Sequence, residues 1–354
     1  MNVPIQNANT EISVPSASIF SSVPAIALVF VSLLAGTITG AQATPQRTDV
    51  LDVHRLPLGD GKVSTDPRRG YVMSCRTTFR DGGAQHVGPW IHGETWDMTE
   101  KIAVQGRVNW PQATFQIRTQ GADRLVSRIL QGNGLPVDTP TGGFPIAHDD
   151  PAFQFDRNPN AIEPQQIVLT LPLNPEMAAA SSCVPMGMIG VALNGVAIYN
   201  ALDDGGRDAV AHEVLDICNG HPQMQGQYHY HGPSACLPNQ TANEMLVGYA
   251  LDGFGIYGMH DAQGREITDP DLDECHGRTS EVQWDGARVS IYHYVLTREY
   301  PYTIGCFRGT PVRTRGAEGR SRLGPMPPNG RPPNSPPPYG PPPNGPPPNF
   351  GPPN

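Results

Sequence analysis

The sequence has little charge, and the body of the chain has no concentrated positive segment. Only 16% of its 354 residues are charged, and the formal net charge is −9. Non-specific nucleic-acid binding requires a dense positive surface, so we expect no nucleic-acid partner. The chain also lacks a Walker-type phosphate loop and the Gly-x-Ser-x-Gly turn of serine hydrolases. Serine-nucleophile chemistry therefore has no support in the sequence.

Long apolar runs are absent as well. The apolar stretch Ala25–Ala35 is too short to span a bilayer comfortably, so we expect no stable membrane span. Its length suits the apolar part of an export signal, and Ala41-Gln42-Ala43 forms a small-x-small cleavage site. The segment that precedes it lacks Lys and Arg, which is atypical of such signals. We predict a signal peptide at residues 1–43 and a secreted, periplasmic or otherwise extracellular mature protein.

Cysteine pairs of the Cys-x-x-Cys type do not occur. The six cysteines all follow the proposed cleavage site, and they are Cys75, Cys183, Cys218, Cys236, Cys275 and Cys306. An even number without close pairs favours disulfides formed in an oxidising compartment over a thiolate metal site.

The composition leaves little room for long helices. The 39 glycines and 39 prolines interrupt the chain too often for a helical bundle. We therefore predict a mainly β fold with short helices and long loops. Along the chain we expect a flexible lead-in at 44–70, a front β-rich part at 71–185 and a disordered, Pro-rich tail at 311–354.

The most informative feature that is present is an internal repeat within residues 186–310. Four blocks recur in the same order, separated by 58, 57, 64 and 70 positions. The blocks are Gly190–Tyr199 with Gly248–Tyr257, Leu215–Gly220 with Leu272–Gly277, Tyr228–Tyr230 with Tyr292–Tyr294, and Cys236 with Cys306. This order predicts a tandem duplication, with copies at about 186–240 and 244–310.

Each copy predicts the same module of β-hairpin, cysteine turn and strand. Asn194-Gly195 and Asp252-Gly253 each lie between apolar runs, which is typical of a two-residue hairpin. An Asp-x-Cys-x-Gly turn and a strand of alternating tyrosine and histidine follow. Because the copies should fold alike, we expect disulfide staples within each copy and one to the front part. The predicted pairs are Cys218–Cys236, Cys275–Cys306 and Cys75–Cys183.

Tyr228-His229-Tyr230-His231 carries the main functional hypothesis. In a strand, His229 and His231 project from one face, and the two tyrosines project from the other. Two neutral imidazoles on one face suit a transition metal, with copper or zinc as the expected ion. The third ligand is expected to be His221 or, from the second copy, His293. Asp216 and Asp273 are expected either to bind the metal or to fix an imidazole, with Tyr228 and Tyr230 alongside.

Structural roles compete with each of these assignments. Alternating tyrosine and histidine is also acceptable in a half-buried strand without metal. His212–Asp216 has the outline of a metalloprotease helix, but aspartate replaces the second histidine. Five aromatic residues are candidates either for a glycan or peptide groove or for the core, namely Trp90, Trp96, Trp110, Tyr300 and Tyr302.

The chain resembles the YHYH-domain family, named for its Tyr-His-Tyr-His element. The segments that carry the resemblance are Thr95–Asp97, Asp156–Asn160, Asp208–Glu213, Asp216–Pro222, Gln227–His231, Ala250–Tyr257, Leu272–Cys275 and Tyr300–Cys306. The resemblance implies export and marks Cys218, His221, His229, His231, Asp252, Cys275 and Cys306 as defining positions. It implies no reaction. Since the second copy has Val295 where the first has His231, any site should be built mainly on the first copy.

Three functional hypotheses follow. The leading one is an exported protein that binds copper or zinc through His229, His231 and one or both of His221 and His293. The second is an enzyme that uses this metal, either a hydrolase or an oxidoreductase. The third is a metal-free extracellular module that contacts glycans or proteins. A protein or glycan partner is not specified by the sequence.

Overall fold

A computed structural model describes residues 51–80, 82–121, 126–237 and 241–314. The predicted signal peptide and nearly all of the Pro-rich tail lie outside these ranges. Within them, no helix combines the length and apolarity needed to cross a bilayer.

The described chain is mainly β, which confirms the predicted class. One α-helix, α1 (Ala209–His212), and two 3₁₀ helices, Pro151–Gln154 and Asp269–Asp271, are short. The strands are β1 (Leu56–Pro57), β2 (Val63–Ser64), β3 (Val72–Met73), β4 (Ile91–His92), β5 (Thr95–Trp96), β6 (Phe115–Gln120), β7 (Ser127–Gly132), β8 (Ile167–Pro172), β9 (Met188–Ala192), β10 (Ala197–Tyr199), β11 (Gly220–Pro222), β12 (Tyr228–Tyr230), β13 (Leu246–Ala250), β14 (Gly255–Tyr257), β15 (Gly277–Trp284) and β16 (Ala287–Val295).

An eight-stranded sheet contains all the strands of the two predicted copies, in the order β11-β12-β10-β9-β13-β14-β16-β15. In the first copy, β9 pairs antiparallel with β10, β10 parallel with β12, and β12 antiparallel with β11. In the second, β13, β14, β16 and β15 pair in the same sequence of directions. The copies meet through the antiparallel pair β9–β13 at the centre of the sheet. The two sets of four strands therefore have the same pairing pattern, in mirrored order along one sheet.

Hairpin turns begin each copy as the sequence indicates. Gly195 and Gly253 have φ angles of 86° and 93°, which glycine adopts without the Cβ clash that other residues meet there. In both turns the glycine N–H donates to a carbonyl three residues earlier, Ala192 in the first copy and Ala250 in the second. The Asn-Gly and Asp-Gly signals thus mark real hairpin turns, but each loop has three residues, Leu193–Gly195 and Leu251–Gly253, with the glycine in the left-handed conformation, rather than the two residues that the sequence predicts.

The Asp-x-Cys-x-Gly turns also share one geometry. Asp216 Oδ1 accepts hydrogen bonds from the backbone N–H groups of Cys218 and Gly220, at 2.9 and 3.1 Å. Asp273 Oδ1 does the same for Cys275 and Gly277, at 2.9 and 3.0 Å. The aspartates therefore act as side-chain caps of a tight turn.

Three disulfides have the pairing that the duplication predicts, namely Cys75–Cys183, Cys218–Cys236 and Cys275–Cys306. The first closes a separation of 108 residues and joins the segment after β3 to the segment that precedes β9. Closing so long a loop removes much of the conformational freedom of the unfolded chain.

The described residues of the expected flexible lead-in contain short strands. Residues 51–70 contain β1 and β2, and Leu56 is fully buried. Farther along, β6, β7 and β8 form an antiparallel sheet that contacts the hairpin turns, since a Cβ on Gly195 would meet Phe115 at 2.9 Å. Composition alone did not reveal this order, because the lead-in is held by contacts to distant residues rather than by local periodicity.

Candidate metal centre

Two antiparallel strands bring three histidines together. His221 of β11 lies directly opposite His229 of β12, and His231 follows one residue after β12. Cross-strand partners and next-but-one neighbours share a face of a sheet. The local alternation of tyrosine and histidine and the β11–β12 register therefore place all three imidazoles on one side.

The ring nitrogens converge at His231. Its Nε2 lies 3.0 Å from Nε2 of His229 and 3.2 Å from Nε2 of His221. Ligand atoms of the three residues all lie within 4.8 Å of one another. A tetrahedral ion with metal–nitrogen bonds near 2.05 Å would hold its donor atoms about 3.3 Å apart. The two shortest separations are close to that value.

Two of the rings are already oriented as ligands. His229 Nδ1 lies 3.0 Å from the carbonyl oxygen of Gln227, and His231 Nδ1 contacts that of Asn200. A carbonyl oxygen only accepts, so both Nδ1 atoms carry the proton and both Nε2 atoms present a lone pair. Backbone carbonyls fix metal-binding histidines in the same way. Two facing lone pairs 3.0 Å apart repel unless a cation lies between them.

His221 is held differently. The amide nitrogen of Asn158 donates to the carbonyl of Pro222 at 2.9 Å and lies 3.3 Å from His221 Nδ1. Nδ1 is thus the acceptor, and the proton of the neutral ring is on Nε2, directed at His231. A metal that binds His221 Nε2 must displace this proton, so His221 is less prepared for coordination than the other two.

Burial keeps the cluster neutral. Removal from water lowers the pKa of His221 and His229 well below 6.5 and that of His231 to about 4. Neighbouring imidazoles lower the pKa of His221 and His229 further. Only 2–5% of the surface of each histidine is exposed. Neutral imidazole is the form that binds metals, and the protein favours it down to acidic pH.

One acidic side chain reaches the cluster. Glu213 Oε2 lies 3.2 Å from His221 Nε2 and 3.5 Å from His231 Nε2. This oxygen is buried and accepts no hydrogen bond from the described residues. Burial raises the pKa of Glu213, and the nearby positive charge of Lys101 opposes that rise. The carboxyl group was not among the sequence-predicted site residues.

The front part of the chain positions Glu213. Helix α1 ends at His212, and the Glu213 N–H donates to the carbonyl of Ala209. Around this end, Trp90 Nε1 donates to Ala211 O at 2.8 Å, and the Lys101 ammonium donates to Val210 O. Asp156 Oδ2 accepts from Val214 N at 3.0 Å. Three distant residues therefore fix the turn that carries the glutamate.

His212 does not join the site, contrary to the metalloprotease outline. Its Nε2 lies 2.9 Å from Asp60 Oδ2, on the other side of the short helix. A zinc-protease helix carries its two ligands at positions i and i+4, here His212 and Asp216. Because the helix ends at His212 and the backbone at Glu213 is extended, this arrangement is not formed. Of the residues in this outline, Glu213 is the one whose side chain reaches the histidine cluster.

The tyrosines and acidic residues expected around the ligands form a separate layer. Tyr228 OH donates to Asp216 at 2.8–2.9 Å, and Tyr230 OH accepts from the amide of Asn194 at 3.0 Å. Asp216 also accepts from Gly142 N at 2.7 Å. The carboxylate thus supports strand β12 from its tyrosine face, rather than contacting an imidazole. Its pKa is raised by burial.

His293, Asp273 and Asp252 lie in the other half of the sheet. His293 is on β16, five strand positions from β12, which corresponds to roughly 24 Å at the usual strand spacing. Its ring contacts Tyr257, with centroids 4.8 Å apart. Asp273 accepts from Tyr292 OH at 3.1 Å, and Asp252 accepts from Tyr294 OH at 2.6 Å. The structure therefore does not bring His293 to the cluster, because the copies lie side by side rather than face to face.

The aromatic residues considered for a groove mostly belong to the core. Trp90, Trp96, Tyr300 and Tyr302 have at most 2% of their surface exposed, and Trp110 is partly buried. Side chains so enclosed cannot present faces to a glycan.

Comparison with known proteins gives a family for part of the chain. Residues 168–270 match the family model described as YHYH protein. The match begins in β8 and covers the histidine cluster and Glu213, and it ends before β15 and His293. It is narrower than the segment that carries the resemblance in the sequence. No curated protein and no solved structure matches the chain.

Proposed function

From the match of residues 168–270 to the YHYH family model, we propose that the protein is an exported metal-binding protein. The histidines of the matched segment would hold the ion. Copper and zinc are the ions that imidazole nitrogen suits best among those common in proteins. The observation that carries the proposal is the approach of two lone-pair-bearing Nε2 atoms, of His229 and His231, to 3.0 Å in a buried site.

The three disulfides support action in an oxidising compartment, outside the cytoplasm. With the histidines 95% or more buried, an ion enters during folding or through local opening of the sheet edge. Binding energy at such a site adds directly to folding energy. We expect tight binding and slow exchange.

A metal-dependent hydrolase or oxidoreductase fits the geometry less well. Such an enzyme needs a ligand position open to substrate, whereas the three imidazoles are enclosed by protein. A metal-free interaction module explains the disulfides, but it supplies no proton or cation between the Nε2 atoms of His229 and His231.

Metal analysis of purified, untagged protein tests the proposal. We expect about one equivalent of copper or zinc per chain, and titration with each ion separately identifies which binds tighter. The double variant His229→Ala/His231→Ala should retain none.

His293→Ala is the matched control, since this histidine occupies the corresponding position in the second copy, and it should retain the full equivalent. Full occupancy in the double variant would refute the proposal. Failure of the unmodified protein to bind either ion after refolding with it would refute it as well.

A further inference from the structure

The geometry points to Glu213 as a ligand of the same ion, so that the site has three imidazole nitrogens and one carboxylate oxygen. This inference rests on the proposed function and specifies its donor set. It was not accessible from the YHYH element, which contains no acidic residue.

Distances provide the first argument. Four of the six donor-to-donor separations are short: His229–His231, His221–His231, Glu213–His221 and Glu213–His231, at 3.0, 3.2, 3.2 and 3.5 Å. Donor atoms around a tetrahedral zinc ion are about 3.3 Å apart. The carboxylate oxygen therefore lies as close to the nitrogens of His221 and His231 as a fourth ligand would.

The unsatisfied oxygen provides the second argument. Buried carboxylate oxygens almost always accept hydrogen bonds, because burial without a partner is energetically unfavourable. Glu213 Oε2 accepts none from the described residues, although it is enclosed and lies next to the rings of His221 and His231. A cation among the rings supplies the missing interaction.

Local charge provides the third argument. Two positive groups, Lys101 and Arg207, act on Glu213. The ammonium of Lys101 is already bound to the carbonyl of Val210, and Arg207 pairs with Asp203 at 2.7 Å. Asp156 and Asp203 add further negative charge around Glu213. A divalent cation at the cluster offsets this negative surplus.

The donor set favours particular ions. Monovalent copper is selected by soft sulfur ligands, whereas nitrogen with a hard oxygen suits divalent zinc or copper. Four protein donors also fill a tetrahedral shell. We therefore expect a divalent ion in a closed site with no position for substrate, as in structural zinc sites.

Zinc affinity, measured by competition with a chromophoric chelator, tests the role of Glu213. Glu213→Gln preserves shape and removes the charge, and Glu213→Asp preserves the charge but withdraws the oxygen by one methylene. Outer residues of metal sites typically contribute 10–100-fold, so loss of a direct ligand should weaken zinc binding by about 100-fold or more in both variants. Glu163→Gln, which alters an exposed glutamate, is the control and should bind as the unmodified protein does.

The outcomes separate this inference from the proposed function. Unchanged affinity in Glu213→Gln, with normal binding by the unmodified protein, would overturn the ligand role and leave the histidine site standing. Full affinity in Glu213→Asp would also overturn it, because charge alone would then suffice. Absence of zinc binding by the unmodified protein would instead remove the proposed function itself. Circular dichroism of the metal-free variants establishes that each is folded, and Glu213→Asp carries the test if Glu213→Gln is not.

Discussion

The two copies of the module have the same scaffold but different chemistry. In both, a tyrosine–histidine strand lies between a parallel hairpin strand and an antiparallel neighbour. Where β11 places His221 opposite His229, β15 places Arg278 opposite His293. Val295 then takes the position of His231. Two substitutions thus leave the second copy with a single histidine at a position where the first copy has three together.

The side chains that pack around the tyrosine–histidine strand are more alike in the two copies than the histidines are. Tyr228 and Tyr292 each donate to the aspartate of a cysteine turn, and Tyr199 and Tyr257 each contact the histidine of the strand. Because these contacts occur in both copies whereas the three histidines occur in one, we infer that the tyrosines, aspartates and disulfides serve the fold. The metal-capable groups are an addition to that fold, restricted to one copy.

The largest effect is expected from removing the aspartates of the two turns. Asp216→Ala leaves three backbone N–H groups and Tyr228 OH without their acceptor, in a site where the aspartate is 1% exposed. Each buried unsatisfied donor costs about 1–3 kcal/mol, so we expect a loss of about 4 kcal/mol in the free energy of unfolding. Asp273→Ala, at the more exposed matched turn, should lose about 2 kcal/mol. Urea denaturation of metal-free protein measures both, and equal losses would contradict the comparison.

An intermediate effect, on the pH dependence of stability, is expected from replacing His293 of the second copy. Burial lowers the pKa of His293 to about 4, against about 6.5 in the unfolded chain. Between these values the unfolded state binds the extra proton, so the stability that His293 contributes above pH 6.5 is lost as pH falls towards 4. His293→Gln should reduce the pH dependence of the unfolding free energy in this window by up to about 1.4 kcal/mol per pH unit.

Denaturation of metal-free protein at a series of pH values checks this expectation. His86→Gln, which alters an exposed histidine, is the control and should follow the unmodified protein. An identical slope for His293→Gln would mean that His293 is as easily protonated in the fold as in the unfolded chain.

The smallest effect is expected at the tyrosines that contact the strand histidines. Tyr199 stacks on His229 with centroids 3.8 Å apart, and its hydroxyl donates to Gln227 at 2.7 Å. Tyr199→Phe keeps the stacked ring and loses only this hydrogen bond, so zinc affinity should fall by no more than about tenfold. Tyr257→Phe, in the second copy, should leave zinc affinity unchanged. A larger loss for Tyr257→Phe than for Tyr199→Phe would reverse the assignment of the site to the first copy.

Much of the scaffold was predictable because its signals are local or repeated. Asn194-Gly195 and Asp252-Gly253 specify hairpins through backbone preferences of two residues. The repeat specified which cysteines pair, a choice that six cysteines alone leave open. Residues 51–70 were not predictable in this way, since Leu56 is buried by distant parts of the chain.

The site was predictable in part for the same reason. Alternation along β12 predicts that His229 and His231 share a face, and they do. The sequence does not choose between His221 and His293 as the third histidine, because it does not tell whether two copies pack face to face or edge to edge. The β9–β13 pairing makes them neighbours in one sheet, which favours His221.

By itself the sequence determined the hairpins, the cysteine turns and the shared face of His229 and His231, because these follow from the conformational preferences and the two-residue period of a short stretch of chain. Tertiary structure alone decided that Glu213 reaches the cluster and that His293 of the second copy does not. Both depend on chain segments that are far apart in sequence, with Trp90, Lys101 and Asp156 holding the turn that carries the glutamate. Such contacts form only when the whole domain closes, so no local pattern encodes them.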